Sequence, residues 1–118
     1  MTIRDKIKEL ASYLKFAASK ETAYGNEYNP DDEDQGVLHN HCGCVAYTVQ
    51  QAFGGDIVSH KKHYWNVIDG VHYDLTRYKH SYEPRYTKSR KTPKRSSVNW
   101  RFEKFNDRVE WAYHCHKL

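Results

Sequence analysis

Hydrophobic positions near the start of the chain recur with a helical period. Ile3, Ile7, Leu10, Leu14 and Ala17 draw one apolar stripe down a single helix face. Thr2, with Asp5 three residues on, forms a capping box, so the pattern predicts a helix from Thr2 to about Phe16–Ser19 that covers one side of the core. From Tyr24 to Asn40 the period dissolves into Gly25, Asn26, Asn29-Pro30 and the acids Asp31 to Asp34. This predicts a polar, mobile loop over residues 24–41. The spacing of its acids is not that of a calcium loop.

Cys42 to Phe53 reads as a second helix, stopped by Gly54-Gly55 at a left-handed C-terminal cap. Cys42, Val45, Ala46, Val49 and Phe53 fall on one face, whereas Cys44 falls with Tyr47, Thr48 and Gln51 on a more polar one. Cys42 is therefore expected at the N-terminal end of the core-facing stripe. There, free backbone N–H groups and the positive end of the helix dipole favour a thiolate.

Asp56–Ser59 is a strand candidate, and His60-Lys61-Lys62 a turn. His63–Ile68 and Val71–Thr76 flank Asp69-Gly70, a two-residue type I′ hairpin signal. That loop sets the register: Ile68 opposite Val71, Val67 opposite His72, Asn66 opposite Tyr73, Trp65 opposite Asp74 and His63 opposite Thr76. His63, Trp65, Val67, His72, Asp74 and Thr76 then share one face. His63 and Asp74 become diagonal neighbours about 7–8 Å apart at Cα, close enough for imidazole and carboxylate to meet. Residues 77–97, with Pro84, Pro93 and many bases, read as an irregular excursion. Phe102, Phe105, Val109, Ala112, Tyr113 and His116 recur at helical spacing from about Asn99, although Val98-Trp100-Phe102 alternates as a strand would.

The elements add up to a single α+β domain of 118 residues, without internal repeats, in which a central cysteine-bearing helix packs on a short antiparallel sheet. No apolar run is long enough for a membrane span and the start is not signal-like, so a cytoplasmic protein with no membrane association is expected. The three cysteines Cys42, Cys44 and Cys115 are an odd number, and Cys42 and Cys44 are too close in sequence for an easy disulfide. The net charge of +4 conceals an asymmetry: six acids and no base lie between Glu21 and Asp34, and eleven Lys/Arg lie between Arg77 and Arg108. Weak polyanion binding through residues 77–108 follows, with no nucleic-acid motif beside it.

Three chemistries compete for the Cys and His residues. Thiol catalysis needs a thiolate, a base beside it and a group that orients the base. Cys42, His63 and Asp74 fill these roles in that order, with Cys44 the alternative nucleophile and no cofactor required. Trp65 serves either as a core aromatic or as a substrate-groove wall, with Asn66 beside it. Zinc is the second chemistry, because His39, His41, Cys42, Cys44, His114, Cys115 and His116 are all suitable ligands, although their spacings match no common zinc pattern. The third is a non-catalytic binding module, such as a phage protein that docks on a host factor.

The phrases Ser19-Lys20-Glu21-Thr22, Asn29-Pro30, Cys42, Gln50, Phe53-Gly54-Gly55-Asp56-Ile57, His63-Tyr64-Trp65-Asn66, Asp69-Gly70 and Asp74-Leu75-Thr76-Arg77 resemble the YunG-like family of small bacterial and phage proteins. Arg101 to Val109 is similar to that family's closing helix. His-x-Trp followed by Asp-Leu-Thr also resembles the transglutaminase-like pattern within the papain-like cysteine protease superfamily. Cys42-Gly43 ahead of a helix resembles the bacteriocin-processing peptidases of that superfamily. These resemblances imply a triad of Cys42, His63 and Asp74 acting on an amide or thioester of a protein or peptide. The family's usual Gly-Gln before the cysteine is Asn40-His41 here. If that Gln helps form an oxyanion hole, Gln35, Asn40 or His41 must stand in for it.

Overall fold

The computed structural model describes residues 2–92 and 99–117. The end of the basic excursion, residues 93–97, and the alternation at Val98 lie outside the described residues. Helix α1, Ile3–Ala17, begins at the expected capping box: the Thr2 hydroxyl accepts the Asp5 N–H and the Asp5 carboxylate accepts the Thr2 N–H, both at 3.2 Å. It buries Ile7, Ala11, Leu14 and Ala17, while Ile3 remains exposed at the start of the stripe.

Helix α2 runs from Cys42 to Phe53 and ends as expected at Gly54 and Gly55, both with positive φ. Its exposure pattern corrects the expected phase. Cys44 and Thr48 are buried together with Val45, Ala46 and Val49, whereas Cys42 is only half-buried. The reason is that α2 is covered on two sides, by the sheet and by the C-terminal helix α3, Trp100–Lys117. A polar-looking face carrying Cys44 and Thr48 thus becomes an interior one. Gly43 permits close seating at this contact, since a Cβ there would lie 2.7 Å from the Phe102 ring.

Four antiparallel strands, β1 (Asp56–His60), β2 (His63–Ile68), β3 (Val71–Tyr73) and β4 (Arg90–Lys91), form one sheet in the order β3-β2-β1-β4. The β1–β2 turn is tighter than its sequence suggests. Lys61 and Lys62 both adopt positive φ between the paired His60 and His63, although neither is a glycine or asparagine. Asp69-Gly70 makes the expected β2–β3 turn, and the register Asn66–Tyr73, Val67–His72, Ile68–Val71 is the expected one.

The ladder is shorter than expected: β3 stops at Tyr73, so the Trp65–Asp74 and His63–Thr76 pairs do not form. Asp74 instead gives its N–H to the Tyr82 carbonyl at 2.8 Å, and the chain enters a 3₁₀ turn over Leu75–His80. Leu75 and Thr76 are buried by that turn. Strand β4 falls inside the expected irregular excursion. Two exposed basic residues carry no periodic signal, and they pair with Val58 and Ser59 at the sheet edge.

The long polar segment before α2 also carries structure. It contains 3₁₀ turns at Tyr24–Asn26 and Gly36–Leu38, and Leu38 is fully buried in the core with Leu14, Val45, Leu75 and Phe105.

Candidate active site

Asp74 lies at the point where the hairpin gives way to the 3₁₀ turn, and it is 1 % exposed. Its two carboxylate oxygens have different partners. Oδ2 meets His63 Nε2 at 2.5 Å, and Oδ1 accepts the Thr76 hydroxyl at 2.7 Å. With Nε2 occupied by the carboxylate, Nδ1 is the ring nitrogen left for another partner. The Cys42 thiol, at the first residue of α2, lies close enough to this imidazole to favour its charged form. Thiol, ring and carboxylate are therefore brought together in the expected order.

The electrostatics of the ring follow from that placement. Burial opposes charge on His63, but hydrogen bonds and opposite charge from Asp74 and Cys42 outweigh it, raising the ring from its ordinary 6.5 to about 10. His63 is thus held as an imidazolium at neutral pH. The Trp65 ring stacks along it at 5.8 Å, and Tyr86 meets its edge at 6.4 Å. Trp65 itself is buried and gives its indole N–H to His72 Nδ1 at 2.9 Å, so it is a core aromatic that also supports the imidazole. Asn66 is buried too, and its side-chain amide donates to the Ala46 carbonyl at 2.9 Å. That bond ties β2, which carries His63, to α2, which carries Cys42.

The candidate oxyanion residues are held elsewhere. The Gln35 amide donates to Thr76 Oγ1 at 3.3 Å and its carbonyl accepts the Asn40 N–H at 3.4 Å. The Asn40 side chain donates to the Glu27 carbonyl at 2.7 Å. His41 is fully buried, with Nε2 2.7 Å from the Thr22 hydroxyl and Nδ1 2.7 Å from the His39 carbonyl. Burial lowers its pKa, opposed by the His39 carbonyl, which favours its charged form. Both ring nitrogens are thus engaged away from Cys42. The first turn of α2 has no side-chain cap, so its backbone N–H groups are the donors next to the thiol.

Cys44 sits one residue beyond Gly43 but on the α3 side, its sulfur 3.6 Å from the Thr22 carbonyl and 3.7 Å from that of Arg101. Burial, with the neighbouring Cys42 charge, pushes its thiol up to about 12. The described candidate zinc ligands have other surroundings. His39 faces Asn29 and Asp32, His41 faces Thr22, and Cys115 is exposed on α3. Among the described residues no three His, Cys, Asp or Glu side chains could hold a metal ion. His114 lies on the same helix turn as Cys115, and the side chain of His116 lies outside the described ones.

Thr76 and Tyr86 are the members of the site for which sequence reasoning assigned no role. Thr76 stood in the Asp-Leu-Thr phrase and on the expected triad face, a usable signal. Tyr86, in an aperiodic stretch, offered none. Among the described residues no helix is long and apolar enough to cross a membrane.

No curated protein and no solved structure matches the chain. One family profile does, that of the YunG protein, over residues 6–114, a span that holds Cys42, His63 and Asp74 together with all the strands and most of the three helices. The chain belongs to the YunG family.

Proposed function

We propose that this protein is a thiol-dependent hydrolase or acyltransferase that acts on an amide or thioester of a protein or peptide through Cys42, His63 and Asp74. The observation that carries the reading is the position of His63 between the buried Asp74 carboxylate and the half-buried Cys42 thiol. Cys42 sulfur attacks the substrate carbonyl carbon, its proton resting on His63 Nδ1. The carbonyl π pair moves to oxygen, which the uncapped N–H groups at the start of α2 stabilise. As that pair returns, the bond to the leaving group breaks, and His63 hands its proton to the departing nitrogen or sulfur. The product is an acyl-thioester on Cys42. Water, or an acceptor amine in a transferase, then gives a proton to His63 and attacks the thioester, and Cys42 leaves as a thiolate, which restores the starting thiolate–imidazolium pair. Asp74 fixes the ring's orientation and stabilises its charge.

A helix-borne cysteine followed by His on a strand and Asp at a strand end is also the order of papain-like and transglutaminase-like enzymes, and it supports placing the chain in that superfamily. Trapping of an acyl group on Cys42 by a panel of activated peptide esters and thioesters, read by mass spectrometry, tests the activity. Acylation that survives Cys42→Ala contradicts it.

The basic stretch 77–108 is assigned only weak, salt-sensitive polyanion binding. Arg77, His80 and Arg85 converge on Asp34, and Lys104 and Arg108 converge on Glu21, so intramolecular acids already engage much of its charge. Retention on a heparin matrix that persists well above physiological salt would contradict this assignment.

A further inference from the structure

His63 fixes only one oxygen of the Asp74 carboxylate. The other is held by Thr76, whose hydroxyl is 1 % exposed as a residue and has two roles at once. It donates to Asp74 Oδ1 at 2.7 Å and accepts from Gln35 Nε2 at 3.3 Å. Gln35 in turn accepts the Asn40 N–H at 3.4 Å. Every donor in this series points toward the carboxylate. Asn40 stands two residues before the nucleophile, so the hydrogen bonds from Asn40 to His63 and the chain from Asn40 to Cys42 close a ring around the site.

The two segments that carry this series are clamped independently of it. Gly36 has a φ of +56°, and a Cβ there would collide with the Tyr78 hydroxyl, so the turn after Gln35 sits directly against the turn after Thr76. Asp34 on one segment also holds Arg77, His80 and Arg85 on the other. Gln35 and Thr76 therefore face each other on rigid supports. A carboxylate accepting from one side only is free to rotate about its Cβ–Cγ bond, and a second donor on a fixed support removes that freedom.

We infer that Thr76 and Gln35 are positioning residues, which lock the Asp74 carboxylate in the orientation that holds His63 and tie that orientation to the segment leading into Cys42. The inference rests on the triad reading above. Neither residue touches the reacting atoms.

Thr76→Val keeps the shape of the side chain and removes the hydroxyl, while Thr76→Ser restores the hydroxyl. Two signals report on Asp74 rather than on folding: the far-downfield proton resonance of the His63–Asp74 hydrogen bond, and the rate of Cys42 alkylation by iodoacetamide at neutral pH in a Cys115→Ser background. Thr76→Val is expected to abolish the resonance and slow alkylation about tenfold, the size of a lost hydrogen bond to a charged group. Thr76→Ser should recover both. A Thr76→Val protein that is less stable but keeps resonance and rate would overturn the relay. Should that variant fail to fold, Gln35→Met carries the test: a weaker change in the same direction supports the relay, and no change contradicts it. Alkylation indifferent to His63→Ala would contradict the triad itself, whereas surviving His63 dependence with an indifferent Thr76→Val would contradict only the relay.

Discussion

His63 Nε2 and Asp74 Oδ2 meet at 2.5 Å although the strand ladder that was expected to align them ends one residue short of Asp74. The aspartate reaches the ring from the junction between β3 and the 3₁₀ helix that begins at Leu75. The ring's Nδ1 is thereby left free of the carboxylate, and its raised proton affinity follows from Asp74 and Cys42 together.

That raised affinity sets a pH dependence. A ring that binds its proton more tightly when folded stabilises the native state fully below its ordinary 6.5, and the contribution is lost as pH rises through about 10. Wild-type stability should therefore fall between these two values more steeply than that of His63→Gln, measured by urea denaturation at a series of pH values. Asp74→Asn should bring the ring's NMR titration down toward the ordinary histidine range while leaving a cooperative unfolding transition. A ring that already titrates near its ordinary value in the wild type would contradict the ion-pair geometry.

The two neighbouring thiols should behave differently. Cys44 is enclosed against α3 with its thiol pushed up to about 12, whereas Cys42 is half-buried and Cys115 is exposed. In a Cys115→Ser background, iodoacetamide should modify Cys42 and spare Cys44 until the protein unfolds. Peptide mapping that finds the label on Cys44 in the native protein would show the wrong thiol to be accessible.

Much of the frame was legible because it depends on local rules. The capping box at Thr2, the Gly54-Gly55 stop and the Asp69-Gly70 turn are set by nearest neighbours, and the last of these fixed a register that the structure keeps from Asn66 to Ile68. What was not legible depends on contacts between distant segments. The burial of Cys44 comes from α3, some sixty residues on. Strand β4 exists only because β1 offers it an edge. The release of Asp74 from the ladder reflects the Tyr82 carbonyl and the burial of Leu75, neither of which alternation along the hairpin encodes. His41, a candidate ligand and oxyanion donor by composition alone, is enclosed by Thr22, Tyr28 and Phe105, and its chemistry is absorbed by packing.

Gly43 should be intolerant of a side chain. A Cβ at this position meets the Phe102 ring at 2.7 Å, so Gly43→Ala must push that ring out of its place between α2 and α3. Overpacking of this kind costs about 1–3 kcal/mol, which exceeds the helix-propensity gain of alanine over glycine, about 1 kcal/mol. Chemical denaturation should show a net loss of stability, which Phe102→Leu in the same chain partly relieves. A stabilised Gly43→Ala protein would contradict the close seating of α3.

In a working triad the reactivity of Cys42 depends on His63. The most direct measurement is the second-order rate of Cys42 alkylation by iodoacetamide from pH 5 to 9, in the Cys115→Ser background, with and without His63→Ala. A Cys42–His63 pair predicts substantial alkylation already near neutral pH, and a loss of at least about tenfold there when the imidazole is removed, the two proteins converging only at alkaline pH. Coincident profiles, each following an ordinary thiol, would mean that the His63–Asp74 pair serves the fold alone, and the enzyme reading would be withdrawn.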